Sequence, residues 1–293
     1  MKIFPLIVLI LLLTQASFGQ HDGVEFERLE RNGRVLLEAP EDSLLVETEL
    51  KEFYDAKDRR SGELLVRIGK SFLGTPYVAH TLESGKDEQL VVNLRELDCT
   101  TFDETCLALM LTVKSGATDF AAYKKQLEKV RYRNGVRDGY LSRLHYFSDW
   151  LYNNAEKGLV SPLDNSFQTK VEKTINFMST HPESYPVLKE HPELVPQIAK
   201  QEELISERTR YFIPKEKLQA NEKQLKNGDI VGLTTSIAGL DIAHVGMVVW
   251  VDGRVHLLHA SSALEKVVIS DVPLDDYLAA KKTFTGIMVV RPE

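Results

Sequence analysis

The stretch 97-LDCTTFDETC-106 decides how this chain is read. Cys99 follows an aspartate and opens a segment in which Phe102, Cys106, Leu109 and Met110 recur at three- and four-residue steps, the spacing of a helix with one apolar face. Asp98 suits the N-cap, and Asp103 and Glu104 suit a first turn, where carboxylates complement the helix dipole. A helix beginning at Cys99 is therefore predicted. The chain has 2 cysteines. On one helix, Cys99 and Cys106 would stand roughly 10 Å apart along the axis, and a disulfide needs Cα atoms within about 7 Å. No bridge between them is expected. Cys106 reads as a buried apolar residue. Cys99 is left as packing, a metal ligand or a nucleophile.

The rest of the chain narrows that choice. MKIFPLIVLILLLTQASFG, residues 1–19, has one early lysine, an apolar run and small residues near its end. This is the pattern of an export signal, with cleavage expected before Gln20. The run is short for a membrane span, and no later segment is long and apolar enough to be one. An exported protein is expected, with the periplasm as its compartment and no integral membrane segment after cleavage. With 36 basic and 43 acidic residues the formal net charge is −7. No basic stripe suggests nucleic acid as a partner.

Residues 20–58 are charged and weakly patterned and read as an N-terminal arm. Residues 59–293 read as one catalytic domain. Leu64, Ile68 and Phe72 mark a helix over 61–73, with Gly74 as its stop. LVVNL at 90–94 is a short strand or an extended approach to Cys99. Residues 119–225 read as a mostly helical insertion, with an apolar core stripe at Tyr140, Leu144, Phe147 and Leu151. Arg143, Tyr146 and Trp150 lie off that stripe and are read as outside any cleft. From Gly228 onward DIVGLT, HVGMVVWV, VHLLHA, VVIS and GIMVV alternate as strands, and Asp252-Gly253 marks a hairpin. Helices followed by an antiparallel sheet make the fold class α+β.

Three histidines fall in two of those strands: His244 in the first, His256 and His259 in the next. Successive strand side chains alternate in face, so one of His256 and His259 can share a face with His244. A thiol attacks as thiolate, and a helix N-terminus or a neighbouring imidazolium lowers its pKa. An imidazole then carries the proton to the leaving amine, and a polar group on the next strand orients it. Helix-borne Cys99 and strand-borne histidines supply those parts. Zinc held by Cys99, Cys106, His244, His256 and His259 is the competing chemistry. Cys-x6-Cys on a helix is poor ligand spacing and no HExxH occurs, so no metal and no cofactor are expected.

GTPY, LDCTTF, LKNGDIVG, HVGMVV and LLHASS, in that order, resemble the NlpC/P60 cysteine peptidase superfamily. The long spacing between Tyr77 and Cys99, the helical insertion, and the segments LVVNLRELDCTTF and YLSRLHYFSDW are similar to its DUF1460 branch, described as N-acetylmuramoyl-L-alanine amidase-like. The resemblance implies a papain-like core, in which a helix-borne cysteine packs on an antiparallel sheet or half-barrel, and peptidoglycan muropeptides as substrates. It implies Cys99 as nucleophile and His244 as general base. HASS at 259–262 favours His259 as the third member, while a common superfamily spacing lands on His256. Tyr77, Asp98 and Ser261, with Ser262 beside it, are carried over as residues that touch substrate, although turn packing, helix capping and sheet-edge polarity would also account for them. The implied activity is hydrolysis of the muramoyl–L-alanine amide through an acyl-enzyme. The alternatives are a γ-D-glutamyl-diamino-acid endopeptidase and a catalytically silent peptidoglycan-binding protein.

Overall fold

A computed structural model describes residues 40–83 and 88–293 of the chain. The expected export signal and residues 20–39 of the expected arm lie outside the described residues. Residues 40–58 are not arm-like: α1 (Pro40–Phe53) buries Val46, Leu50 and Phe53 in the main core. Asp42, fully buried on this helix, accepts the Leu94 N–H at 3.1 Å and pairs with Arg95 at 3.0 Å, which ties α1 to the approach to Cys99.

Next come α2 (Ser61–Ser71), α3 (Cys99–Lys114) and α4 (Phe120–Arg131). LVVNL forms no strand and is the extended approach. α3 is the central helix, and Phe102, Cys106, Leu109, Met110 and Val113 are all buried in the main core. Fully burying side chains of this size is worth ~1.5–3 kcal/mol each.

The stretch 140–154 is not one helix. Residues 140–142 form a single 3-10 turn, Arg143 and Tyr146 are extended, and α5 runs Phe147–Glu156. The Leu144 N–H donates to the Arg131 carbonyl at 3.1 Å, and Arg143 bridges Tyr132, so pairing with the end of α4 replaces the helical turn. The remaining longer helices are α6 (Val195–Glu207), α7 (Lys215–Asn221) and α8 (Leu274–Ala279).

The five predicted C-terminal strands form at Ile230–Thr235 (β4), Ile242–Val251 (β5), Arg254–Ser261 (β6), Lys266–Ile269 (β7) and Phe284–Pro292 (β8). Three short strands inside the helical insertion join them: Val160–Pro162 (β1), Thr169–Lys170 (β2) and Tyr211–Pro214 (β3). The eight-stranded antiparallel sheet runs β2-β3-β8-β4-β5-β6-β7, with β1 also on β8. Asp252 (φ 49°) and Gly253 (φ 81°) make the tight turn between β5 and β6. Gly228, at φ +82°, ends the preceding loop against α2, where a Cβ would come within 2.4 Å of the Gly62 Cα. One core lies between the sheet and α1–α4; a second, with Val248, Val255 and Leu257, packs under α7 and α8. The fold is α+β.

Candidate active site

Cys99 is the first residue of α3. The Asp98 side chain accepts the Thr101 N–H at 2.7 Å, and the Thr101 hydroxyl accepts the Asp98 N–H at 2.8 Å. This reciprocal cap fixes where the helix starts and so where the sulfur sits. Asp103 and Glu104 fall beyond the first turn and are buried, so they do not serve the dipole as the sequence suggested. Glu104 accepts from Arg131 Nε at 2.6 Å, and Arg131 Nη1 donates to the Val91 carbonyl at 2.7 Å.

His244 stands near the start of β5 and His259 near the end of β6. His244 Nε2 and His259 Nδ1 are 2.6 Å apart, with the rings edge to face. His256 points elsewhere: its Nδ1 donates to the Ser270 carbonyl at 2.8 Å. Gly246 makes the pair of histidines possible, because a Cβ there would lie 2.8 Å from the His259 Cβ and 2.9 Å from the Leu258 carbonyl oxygen. Gly246→Ala is therefore expected to push His259 off His244. The imidazole signals of the two residues would lose their coupling in NMR titrations, and turnover would fall by about as much as in His259→Ala.

The cleft has two lobes, and Cys99, Thr100, Glu104, Leu144 and His145 belong to both. One lobe, about 200 Å³, is walled by Phe147, Trp150, Leu240 and Ile242 and contains Cys99, Asp103 and His244. The other, about 300 Å³, is more polar and holds Tyr77, His80, Asp98 and Arg143. Tyr77 and Asp98 thus lie at the cleft. Ser261 does not: it is buried, and its hydroxyl accepts the Leu264 N–H at 3.2 Å to stabilise the turn after β6. Ser262 is exposed on that turn. Arg143 and Trp150, expected from the sequence to lie outside the cleft, both line it. Tyr146 instead donates to Glu202 at 2.6 Å.

Three contributors are not visible in the sequence pattern. Tyr277 of α8 sits edge-on to His259 at 5.5 Å between ring centroids. The His145 ring donates Nε2–H to the Tyr140 carbonyl at 2.9 Å, which fixes its tautomer. Asp241 accepts the N–H and hydroxyl of Ser148 at 2.7 and 2.8 Å, which ties α5 to the start of β5. The Tyr277 and Asp241 contacts join distant parts of the chain, and the His145 contact depends on the break in the helix before α5. The tripeptide D-I-A before His244 is the one local hint of Asp241.

Burial favours the neutral forms of the Cys99 thiol and of both imidazoles. Burial pushes the Cys99 thiol up to about 12, with Asp98 and Asp103 adding to the shift, while the Val245 backbone N–H and the Thr100 hydroxyl act against it. Burial takes His244 down to about 3, assisted by His259 and Lys281, and takes His259 down to about 4. Burial is thus the largest influence on the thiol and acts against the lowering expected of a helix N-terminus. Because both imidazoles are lowered, they stay neutral well below the ordinary histidine pKa. The acid limb of kcat/KM is expected below pH 6.5, with a level region from about pH 6 to 8; an acid limb at or above pH 6.5 would contradict a neutral pair. Stability follows the same sign. The contribution is fully present above about pH 6.5, where unfolded histidine is neutral, and is lost as the pH falls from there towards 4 and 3.

Residues 67–287 match the family described as AmiA-like, N-acetylmuramoyl-L-alanine amidase-like. The chain belongs to this family. It is similar to the crystal structure of an N-acetylmuramoyl-L-alanine amidase from Bacteroides uniformis ATCC 8492, with 40% identity and a TM-score of 0.76 over 80% of this chain and 99% of that one. A putative xylanase from Bacteroides fragilis is 42% identical, with a TM-score of 0.73 over 77% of this chain and 99% of that one. A Legionella pneumophila protein assigned to DUF1460 shares the fold at 22% identity, with a TM-score of 0.62 over 86% of this chain and 97% of that one. No curated protein matches the sequence.

Proposed function

We propose that this chain is a cysteine amidase of the NlpC/P60, papain-like class that hydrolyses the N-acetylmuramoyl–L-alanine amide of peptidoglycan fragments. The observation that carries the reading is the 2.6 Å contact between His244 Nε2 and His259 Nδ1, with His244 lining the cavity that also holds Cys99. Membership of an N-acetylmuramoyl-L-alanine amidase-like family supports this choice of bond.

In this mechanism His244 donates Nε2–H to His259 Nδ1, which leaves the His244 Nδ1 lone pair for the thiol proton. A separate thiolate or imidazolium is disfavoured by burial, so proton transfer accompanies attack. The sulfur bonds to the lactyl carbonyl carbon, and the displaced electron pair goes to its oxygen. The backbone N–H groups at the start of α3 receive that oxyanion. His244 then gives its proton to the alanine nitrogen as the C–N bond breaks, leaving a thioester. Water adds to the thioester with His244 again taking a proton, the C–S bond breaks, and the thiol is restored. The residues need no cofactor for this sequence.

The xylanase name of one relative finds less support in the side chains of the cleft. Glycosidases use two carboxyl groups across the bond. Of the carboxyl groups lining it, Asp98 caps α3, Glu104 pairs with Arg131, Asp241 holds Ser148 and Glu83 pairs with Arg143. Asp103 remains alone.

The test is to incubate the protein and its Cys99→Ala variant with a defined disaccharide-tetrapeptide and weigh the products. Free tetrapeptide plus bare disaccharide, from the parent protein alone, is expected. A dipeptide-bearing sugar would reassign the cut to the γ-D-glutamyl bond. Tight binding with no cleavage by either protein would mark a silent binding protein. Export to the periplasm is part of the proposal and rests on residues 1–19; a mature N-terminus other than Gln20 in fractionated cells would count against it. Among the described residues no helix is long and apolar enough to cross a membrane.

A further inference from the structure

A histidine in the third position of a triad lacks something a carboxylate has. A carboxylate can turn over and still present an acceptor oxygen. An imidazole has one acceptor nitrogen when neutral and none when protonated. The outer torsion of a histidine is broad and roughly two-fold, and half a turn about it would set Cδ2–H where Nδ1 now faces His244. The 2.6 Å contact between His244 Nε2 and His259 Nδ1 therefore needs something that holds the His259 ring in one of its two orientations and uncharged.

A column of side chains stands against that ring. Tyr277 of α8 meets His259 edge-on, with ring centroids 5.5 Å apart and planes at 73°. Phe284, at the start of β8, stacks on Tyr277 at 6.2 Å and 20°. The Lys281 ammonium lies 5.3 Å from the centroid of the Phe284 ring. At these spacings aromatic pairs, and a cation over a ring face, attract. The column runs from an exposed lysine to a buried imidazole. Leu274 and Leu278, either side of Tyr277 on α8, are buried in the second core and anchor its helix. Lys281 also adds to the lowering of both imidazoles, while the Ala260 backbone acts the other way on His259. Its charge thus favours the uncharged ring that can accept. Tyr277, Phe284 and Lys281 line neither lobe of the cleft. We infer that Tyr277 is a positioning residue whose ring, backed by Phe284 and Lys281, keeps His259 Nδ1 turned to His244. The inference rests on the reading of Cys99, His244 and His259 as the reacting group. It makes packing from α8, far along the chain from Cys99, a determinant of turnover.

The experiment reads the His259 ring directly, by nitrogen NMR of protein labelled in its histidine rings near neutral pH, beside kcat and KM on a muramoyl-dipeptide. The parent is expected to show His259 in one ring state, protonated on Nε2. Tyr277→Met keeps the bulk without the planar ring. It is expected to split the His259 signal between two ring states and to lower kcat by ~10- to 100-fold, with KM held within about twofold because Tyr277 does not line the cleft. Tyr277→Phe keeps the ring and is expected to keep the single state and most of kcat. Tyr277 is half-buried, so neither variant empties a core position. A mixture of ring states in the parent overturns the inference without any variant. So does a single state in Tyr277→Met, whatever its rate, or a kcat that does not fall there. Equal losses in Tyr277→Phe and Tyr277→Met would give the role to the hydroxyl and overturn it too. If the parent does not cleave the muramoyl-dipeptide, the amidase reading fails, and the ring states of parent and variants decide the positioning by themselves.

Discussion

His244→Ala is expected to lower kcat for amide cleavage by ~10⁴-fold or more, and Cys99→Ala to leave no detectable acyl-enzyme turnover. Both positions are at the ends of elements rather than in the packed core, so the thermal midpoint should move little. His259→Ala should cost less, on the order of 10²- to 10⁴-fold, because an orienting group can be lost while the nucleophile and base remain. The ranking is the informative part. In the double variant His244→Ala/His259→Ala the losses should not add, since His259 acts through His244. Steady-state rates on a muramoyl-peptide, with circular dichroism as the control for folding, check all three. If His256→Ala proved as damaging as His259→Ala, the triad would need redrawing, because His256 is engaged with the Ser270 carbonyl and not with His244.

Glu104→Ala is expected to destabilise the fold far more than any of these active-site substitutions. Glu104 and Arg131 are 3% and 2% exposed at their side chains and 2.6 Å apart. Their mutual attraction offsets the desolvation of both. Removing the carboxylate leaves a guanidinium buried, attached to the Val91 carbonyl and unable to lose its charge. Breaking such a pair costs ~3–5 kcal/mol, which for a domain of this size is on the order of 10 °C in thermal midpoint. Glu104→Gln, which keeps the shape and one acceptor, should cost less. The pair joins α3, α4 and the segment before Cys99, so the alanine variant should also lose activity through displacement of the α3 N-terminus. An unfolding scan that finds less than about 1 kcal/mol would mean that Arg131 finds another partner or water.

Much of this architecture was legible in local pattern. The spacing from Phe102 to Met110 marks α3, Asp98 marks its start, and Asp252-Gly253 marks the β5–β6 turn, because each depends on a few neighbouring residues and on backbone sterics. The two strands that carry the histidines follow from the same hairpin. The strands β1, β2 and β3 were not legible: they are two to four residues long, and their reason for being extended is the edge of a sheet assembled elsewhere in the chain. The break in the helix at 143–146 has a similar origin, in pairing with the end of α4.

By itself, then, the sequence determined the helix-borne Cys99, the antiparallel hairpin carrying His244 and His259, and the order of helices before strands, all set by short-range periodicity and turn chemistry. Tertiary structure alone decided that β8 inserts beside β4, that His259 rather than His256 meets His244, and that Arg143 and Trp150 line the cleft while Ser261 does not. It also decided the charge state. The cue of a cysteine at a helix N-terminus points to a low thiol pKa, but pKa is set by everything around the sulfur. Burial, together with Asp98 and Asp103, raises the thiol, and burial lowers the imidazoles, because the cost of desolvating a charge depends on neighbours brought in from the whole chain.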